Sequence, residues 1–275
     1  MNNTLKTTLL LASLTCLLIA IGGIVGGQNG MILFFVISLL MNLFSYWYSD
    51  KIVLKLYKAT PIDPSEKTYE VVQKLAHIKN LPMPKVYRIP SRALNAFATG
   101  RNPQNAAVAV TQGIEEALSE EELEGVLAHE LGHVENRDIL VSTIAASLAG
   151  AIMMIANIAK WSAIFGVGGG DRDRPHPFAL ILTAIIAPLA AMLIQLAVSR
   201  SREFLADEAS AKTTHNPYAL ANALRKISRE ATLPASPQTA HLFISNPLKG
   251  KGVIHLFSTH PSTEERIKRL ENMRF

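Results

Sequence analysis

Ser119-Glu120-Glu121-Glu122-Leu123-Glu124-Gly125-Val126-Leu127-Ala128-His129-Glu130-Leu131-Gly132-His133 decides how this chain is read. Ser119 before three glutamates is a helix start: its hydroxyl can accept from the free amides of the first turn, and Glu122 can reach back three residues later. Carboxylates there also favour the positive end of the helix. Residues four apart share a helix face, so His129 and His133 present their imidazoles to one cation, with Glu130 beside them as a general base. The spacing points to a divalent metal centre that hydrolyses peptides.

A hydrolytic centre of this kind needs three protein ligands and one open position, because a fourth protein ligand would close the tetrahedron to water. The third is expected from Ser201-Arg202-Glu203-Phe204-Leu205-Ala206-Asp207-Glu208, a helical stretch in which Glu203 and Asp207 lie four apart. Glu203 is the candidate ligand. Asp207 then falls where a carboxylate can accept the ring N–H of a ligating histidine and fix its tautomer. The plain alternative pairs Glu203 and Asp207 with Arg200 and Arg202 on a solvated helix. For the negative charge that develops on the scissile carbonyl oxygen, His260 in Thr259-His260-Pro261, or Arg266, is a candidate donor. Equally, His260 reads as a turn residue and Arg266 as an exposed helix cation.

The metal motif is framed by apolar runs. Residues 7–25 and 31–48 carry no charge, each approaches the length of about 20 residues that crosses a bilayer, and Gln28-Asn29-Gly30 separates them as a tight turn. Residues 1–50 are therefore expected to form a transmembrane hairpin rather than a cleaved signal peptide. Two further runs, 139–165 and 178–198, are expected as a second hydrophobic hairpin within 139–198, although Asn157, Lys160, Pro188 and Gln195 interrupt them. A buried or interfacial helical pair is the alternative there. The helix through His133 is expected to run on past Arg137 into the third run. Lys51, Lys55 and Lys58 follow the second span while the first loop has no cation, so residues 51–138 and 199–275, with the site and both termini, are expected in the cytoplasm. Cys16, the single cysteine, excludes an intrachain disulfide.

Between the first hairpin and the motif helix, Ser65–Lys79 has the spacing of an amphipathic helix ended by Leu81-Pro82-Met83-Pro84. Lys85–Ile89, Leu94–Thr99 and Ala106–Thr111 read as short strands of a small antiparallel sheet, with Gly100-Arg101-Asn102-Pro103 as a turn. The fold class is mainly α (α+β), with membrane-embedded helical hairpins carrying a protease domain. A net charge of +5, without an aromatic-basic platform, gives no support to nucleic acid as a partner.

The four motifs His129–His133, Ser201–Asp207, Leu94–Gly100 and Thr259–Pro261 with Arg266, in that order between hydrophobic pairs, resemble the HtpX family of bacterial membrane metalloproteases, over nearly the whole chain. The resemblance implies a gluzincin-type zinc endopeptidase of the inner membrane, with one Zn²⁺ per chain and a link to stress. Such an enzyme cuts misfolded or damaged membrane proteins from the cytosolic side. It implies His129, His133 and Glu203 as ligands and Glu130 as base. His260 and Arg266 match positions that bind substrate or steady the oxyanion in related prenyl-protein proteases, which have more membrane helices than this chain. Asn95, Ala96 and Phe97 fall on the strand against which related enzymes lay an extended peptide, a pairing that tolerates varied side chains. Two other classes are weighed beside it. A metal-stabilised membrane scaffold or chaperone has no use for Glu130, and a transporter using Asn157, Lys160 and Gln195 would survive chelation.

Overall fold

The computed structural model describes residues 3–144, 200–230, 244 and 261–274. Its first element, α1 (Asn3–Leu56), is helical in two lengths joined at Gly26 and Gly27. Gly27 has φ 56°, ψ −142°, a combination open to glycine and costly for any residue with a Cβ, so the chain reverses just ahead of the expected Gln28-Asn29-Gly30 turn. The two lengths lie close together. A Cβ on Gly22 would come within 2.4 Å of the Gly30 carbonyl oxygen, and Asn42 Nδ2 donates across to Thr15 Oγ1 at 2.9 Å. The 23 residues Gly26–Tyr48 are long and apolar enough to cross a membrane, and Ile32, Leu33, Val36, Leu39, Leu40, Leu43 and Phe44 point outward. The hydrophobic runs 139–165 and 178–198 lie outside the described residues except for 139–144.

Strands β1 (Thr60–Pro61), β2 (Lys85–Ile89), β3 (Ala96–Gly100) and β4 (Ala106–Thr111) form one sheet in the order β1-β2-β4-β3. The sheet is mixed, not antiparallel as expected: β4 pairs parallel with β2 and antiparallel with β3. Burial explains the order. Ala106, Val108 and Val110 face one hydrophobic core and Ala107 and Ala109 another, so β4 is apolar on both faces and takes the middle of the sheet. On one side Phe97, Ala107, Ala109 and Ile89 pack against Val53 and Leu54, where α1 extends beyond the apolar run. On the other, Val86, Ala96, Ala98, Val108 and Val110 meet α2 (Lys67–Ile78) and α4 (Glu120–Glu135). The short α3 (Gln112–Ala117) links β4 to α4. Pro61, which has no N–H for a ladder, sits at the sheet edge where that loss is tolerated.

The capping box at the start of α4 is complete, with Ser119 Oγ accepting from Glu122 N–H at 3.3 Å and Glu122 Oε2 from Ser119 N–H at 2.8 Å. Unlike the expected continuous helix, α4 stops at Glu135. Arg137 takes φ 56°, Asp138 N–H bonds to the His133 carbonyl at 2.9 Å and Arg137 N–H to that of Val134 at 3.1 Å. This pair of bonds closes a helix C-terminus with a left-handed residue, here filled by arginine in place of the usual glycine. The turn brings Asp138 back beside His133, and residues 139–144 are helical again.

Helices α5 (Arg200–Thr214), α6 (Pro217–Glu230) and α7 (Thr263–Glu271) complete the described fold. Small residues let α5 and α6 approach α4 closely. A Cβ on Gly132 would stand 3.2 Å from Ala206 Cα of α5, one on Gly125 would stand 2.9 Å from the Leu220 nitrogen of α6, and Ser210 Oγ donates to the Gly125 carbonyl at 2.7 Å. Ser262 caps α7, whose inward face carries Leu270 and Arg266.

Candidate metal centre

Close packing of α4 on α5 sets the site. His129, His133 and Glu203 each offer one ligand atom, and these atoms lie within 4.8 Å of one another. The two Nε2 atoms are 3.2 Å apart, His133 Nε2 is 3.5 Å from Glu203 Oε1, and His129 Nε2 is 3.8 Å from Glu203 Oε2. Ligands at about 2.0–2.1 Å around a tetrahedral ion stand about 3.3–3.4 Å apart, so this donor set fits a divalent cation.

Charge gives a second test of fit. Glu130, Glu203, Asp207 and Asp138 crowd the two imidazoles, with Arg266 and Arg202 as the nearby cations. Burial alone would push His133 down, but Asp138 beside Nδ1, Glu203 and Glu130 outweigh it and lift the imidazole to about 9. The pocket attracts positive charge. His129 is instead held below its ordinary value by burial, and its Nδ1–H donates to Asp207 Oδ1 at 2.9 Å. With the proton on Nδ1, Nε2 turns its lone pair toward the shared position.

Arg266, 1% exposed, is clamped on Asp207 through Nε at 2.9 Å and Nη2 at 2.7 Å, while Nη1 donates to the Ile244 carbonyl at 2.6 Å and lies 3.5 Å from Glu203. Burial would raise the Asp207 carboxyl, yet Arg266 and the His129 hydrogen bond hold it below the usual carboxylate range. The fork thus orders Asp207, and through it His129. Glu130 is buried in the same pocket and accepts from Ala98 N–H at 2.9 Å. Burial lifts its carboxyl to about 7, against the opposing pull of His133.

The expectation for Asn95, Ala96 and Phe97 narrows. Thr111 N–H bonds to the Asn95 carbonyl, so the odd-numbered residues of this strand turn their backbone toward β4 and the even ones toward the outer or free edge, on which no strand among the described residues pairs. Phe97 also packs its ring on Tyr57 at 5.5 Å, away from the site, and Asn95 Oδ1 accepts from Ile244 N–H at 3.1 Å. Of the three, Ala96 faces the free edge, with Ala98 beside it. His260 lies outside the described residues. Asp138 and Ile244 were not expected from the sequence; Asp138 carried a signal in Asn136-Arg137-Asp138, a polar triplet that can end a helix, while Ile244 acts through backbone atoms.

Comparison with known proteins gives the same picture. The profile of peptidase family M48 matches residues 64–274. A protein named Protease HtpX homolog from Syntrophobacter fumaroxidans is 55% identical over 282 residues, covering 99% of this chain and 100% of the relative. Homologues of the same name from Methylibium petroleiphilum (54% over 281 residues, 99% of this chain and 98% of the relative) and Pyrococcus furiosus (52% over 274, 98% and 95%) match as fully. The crystal structure of S. mikatae Ste24p is similar in fold, with a TM-score of 0.53 at 18% identity over 98% of this chain; the chain spans 65% of that protein's length. The likeness to the HtpX family read from the motifs is borne out, and the chain belongs to peptidase family M48 as a membrane-associated metalloprotease.

Proposed function

We propose that the protein is a multi-pass zinc endopeptidase of the bacterial inner membrane that hydrolyses misfolded or damaged membrane proteins from the cytoplasmic side. The observation that carries this reading is the convergence of His129, His133 and Glu203 donor atoms within 4.8 Å, beside a buried Glu130 and the edge of a strand. Two imidazoles and one carboxylate suit zinc among the divalent ions. Lys51, Lys55 and Lys58 support a cytoplasmic location for the side where α1 extends into the sheet, which is also the side of the site. Residues 1–50 form the first membrane hairpin and 139–198 the second, and the protease part is divided between 51–138 and 199–275.

When bound, the ion supplies Lewis acidity, lowering the pKa of water toward about 7 and polarising the scissile carbonyl. Glu130 takes a proton from the attacking water, whose oxygen bonds to the carbonyl carbon. The C–N bond then breaks as Glu130 returns the proton to the leaving amine, giving a carboxylate and an amine. Asp207 holds His129 in its ligating tautomer, and Arg266 acts through Asp207 as a positioning residue, with Nε and Nη2 on Asp207 and Nη1 on the Ile244 carbonyl. His260, which the family resemblance matches to such a position, is the residue assigned to steady the oxyanion. The free edge of β3 at Ala96 and Ala98 pairs with the substrate backbone.

Casein digestion by the purified, zinc-loaded protein tests this reading. Cleavage should stop with a chelator, and in Glu130→Gln it should stop with the metal retained. Digestion by Glu130→Gln at the parental rate would overturn the assignment of the base.

A further inference from the structure

Strand β3 has a fixed direction relative to the helix that meets the membrane. The Arg101 guanidinium stands 4.6 Å over the Trp47 ring, just beyond the strand's C-terminal end, while Phe97 near its start packs on Tyr57. From Trp47 to Tyr57 the helix rises about 15 Å, and from Arg101 back to Phe97 the strand covers about 13 Å. The two elements therefore run side by side in opposite senses. Trp47 lies between Tyr46 and Tyr48 at the close of the apolar run, where aromatic rings sit among lipid headgroups, and Lys51 is 5.2 Å over the Tyr48 ring. With the apolar run of α1 crossing the membrane as proposed above, Gly100 and Arg101 come to the bilayer surface and Ala96 lies farther into the aqueous compartment. Ala98, which donates to Glu130, is three residues from Arg101, or about 10 Å from that surface.

The membrane end of the free edge is closed. Thr143 Oγ1 accepts from Gly100 N–H at 3.1 Å and lies 3.0 Å from Thr99 Oγ1. A peptide that pairs with this edge does so at the backbone of Ala96 and at the carbonyl of Ala98, whose N–H is held by Glu130 at 2.9 Å, and leaves the ladder at Thr143. Antiparallel pairing is the more stable arrangement for an added strand, and it sets which end of the peptide faces the lipid.

We propose, resting on the endopeptidase reading above, that the enzyme cuts membrane proteins with one polarity, on the C-terminal side of a span. The substrate's span lies in the bilayer, its following residues pass Thr143, pair antiparallel with β3 at Ala98 and Ala96, and run on into the aqueous compartment. The cut falls within a few residues of the lipid. A segment that precedes a span enters with the opposite direction and pairs only after the chain has turned round.

The test uses the full-length zinc-loaded protein in liposomes with reporter substrates that carry a single span. One cleavable segment is joined either after the span or before it, always on the protease side, through glycine-serine spacers of about three, six and twenty residues. With the two shorter spacers the segment after the span should be cut about tenfold or more faster. The rates should converge at about twenty residues, where a flexible chain spanning about 25 Å can reverse. Equal rates at the short spacers, or a preference for the segment before the span, overturns the polarity. Casein is digested in parallel: casein cleavage with no polarity defeats this inference alone, whereas failure to cut casein or any reporter with zinc bound defeats the endopeptidase reading and this inference together.

Discussion

Gly132→Ala separates helix stability from metal geometry. Alanine is the better helix former by about 1 kcal/mol, so an isolated α4 would gain. In the packed protein the new Cβ would stand 3.2 Å from Ala206 Cα and 3.3 Å from Ala209 Cβ, where ordinary carbon contacts are about 3.5–4.0 Å. Both contacts are on α5, and Ala206 lies between Glu203 and Asp207. Relief requires α5 to retreat by about 0.3–0.8 Å, more than the ±0.2 Å or so that ligand distances allow. Overpacking costs about 1–3 kcal/mol, so the net loss in fold stability is about 0–2 kcal/mol. Zinc affinity should fall about 10- to 100-fold, as when a ligand's support is disturbed. Gly125→Ala is the control: its Cβ would press on the Leu220 nitrogen of α6, which carries no ligand, so stability should fall with zinc affinity kept within about threefold. Zinc affinity is read by competition with a chromophoric chelator and stability by melting of the detergent-solubilised protein. A Gly132→Ala protein that binds zinc as tightly as the parent and melts higher would refute the argument that this contact sets the approach of Glu203.

Other substitutions probe the supports one at a time. Asp207→Asn removes the carboxylate that holds Arg266 by two hydrogen bonds and leaves it only Glu203 at 3.5 Å, and should cost about 3 kcal/mol in unfolding free energy; a loss under about 0.5 kcal/mol would show that the pair is not holding the site. Ser119→Ala removes the cap on α4 and should cost about 1 kcal/mol with zinc stoichiometry intact, a result checked by denaturant titration alongside metal analysis. Arg88 bonds to Glu66 at 2.7 Å and to Glu115, and its hydrogen bond holds Glu66 below the usual carboxylate range. Because the folded value is depressed, that contribution is present above the unfolded value of about 4.3 and is lost as pH falls from there through the lower folded value. Arg88→Met should therefore flatten the acid side of the melting temperature against pH, and an unchanged slope counts against the tie.

What could be read ahead of the structure was local. The Ser119 and Glu122 box, the four-residue spacing of His129 and His133, and that of Glu203 and Asp207 each follow from helix geometry over one or two turns. Lys85–Ile89 and Ala106–Thr111 were legible as strands for the same reason. Their parallel pairing was not, because it depends on β4 lying between two layers, a fact spread over Val53, Leu54, α2 and α4. The end of α4 at Arg137 escaped because arginine has no preference for the left-handed conformation; the return of Asp138 to His133 shows its use only in three dimensions. Arg266 likewise reads as a surface cation until α7 is packed inward. The free-edge parity of β3, which favours Ala96 and Ala98 over Asn95 and Phe97, is a matter of register and leaves no trace in composition.

The central claim is a single ion shared by α4 and α5, and an anomalous difference map of zinc-loaded crystals addresses it most directly. One peak per chain is expected, bonded to Nε2 of His129 and of His133 and to a Glu203 carboxylate oxygen at about 2.0–2.2 Å, with a fourth position open to water. A peak held by other residues, or Glu203 turned away from the histidine pair with zinc present, would contradict it.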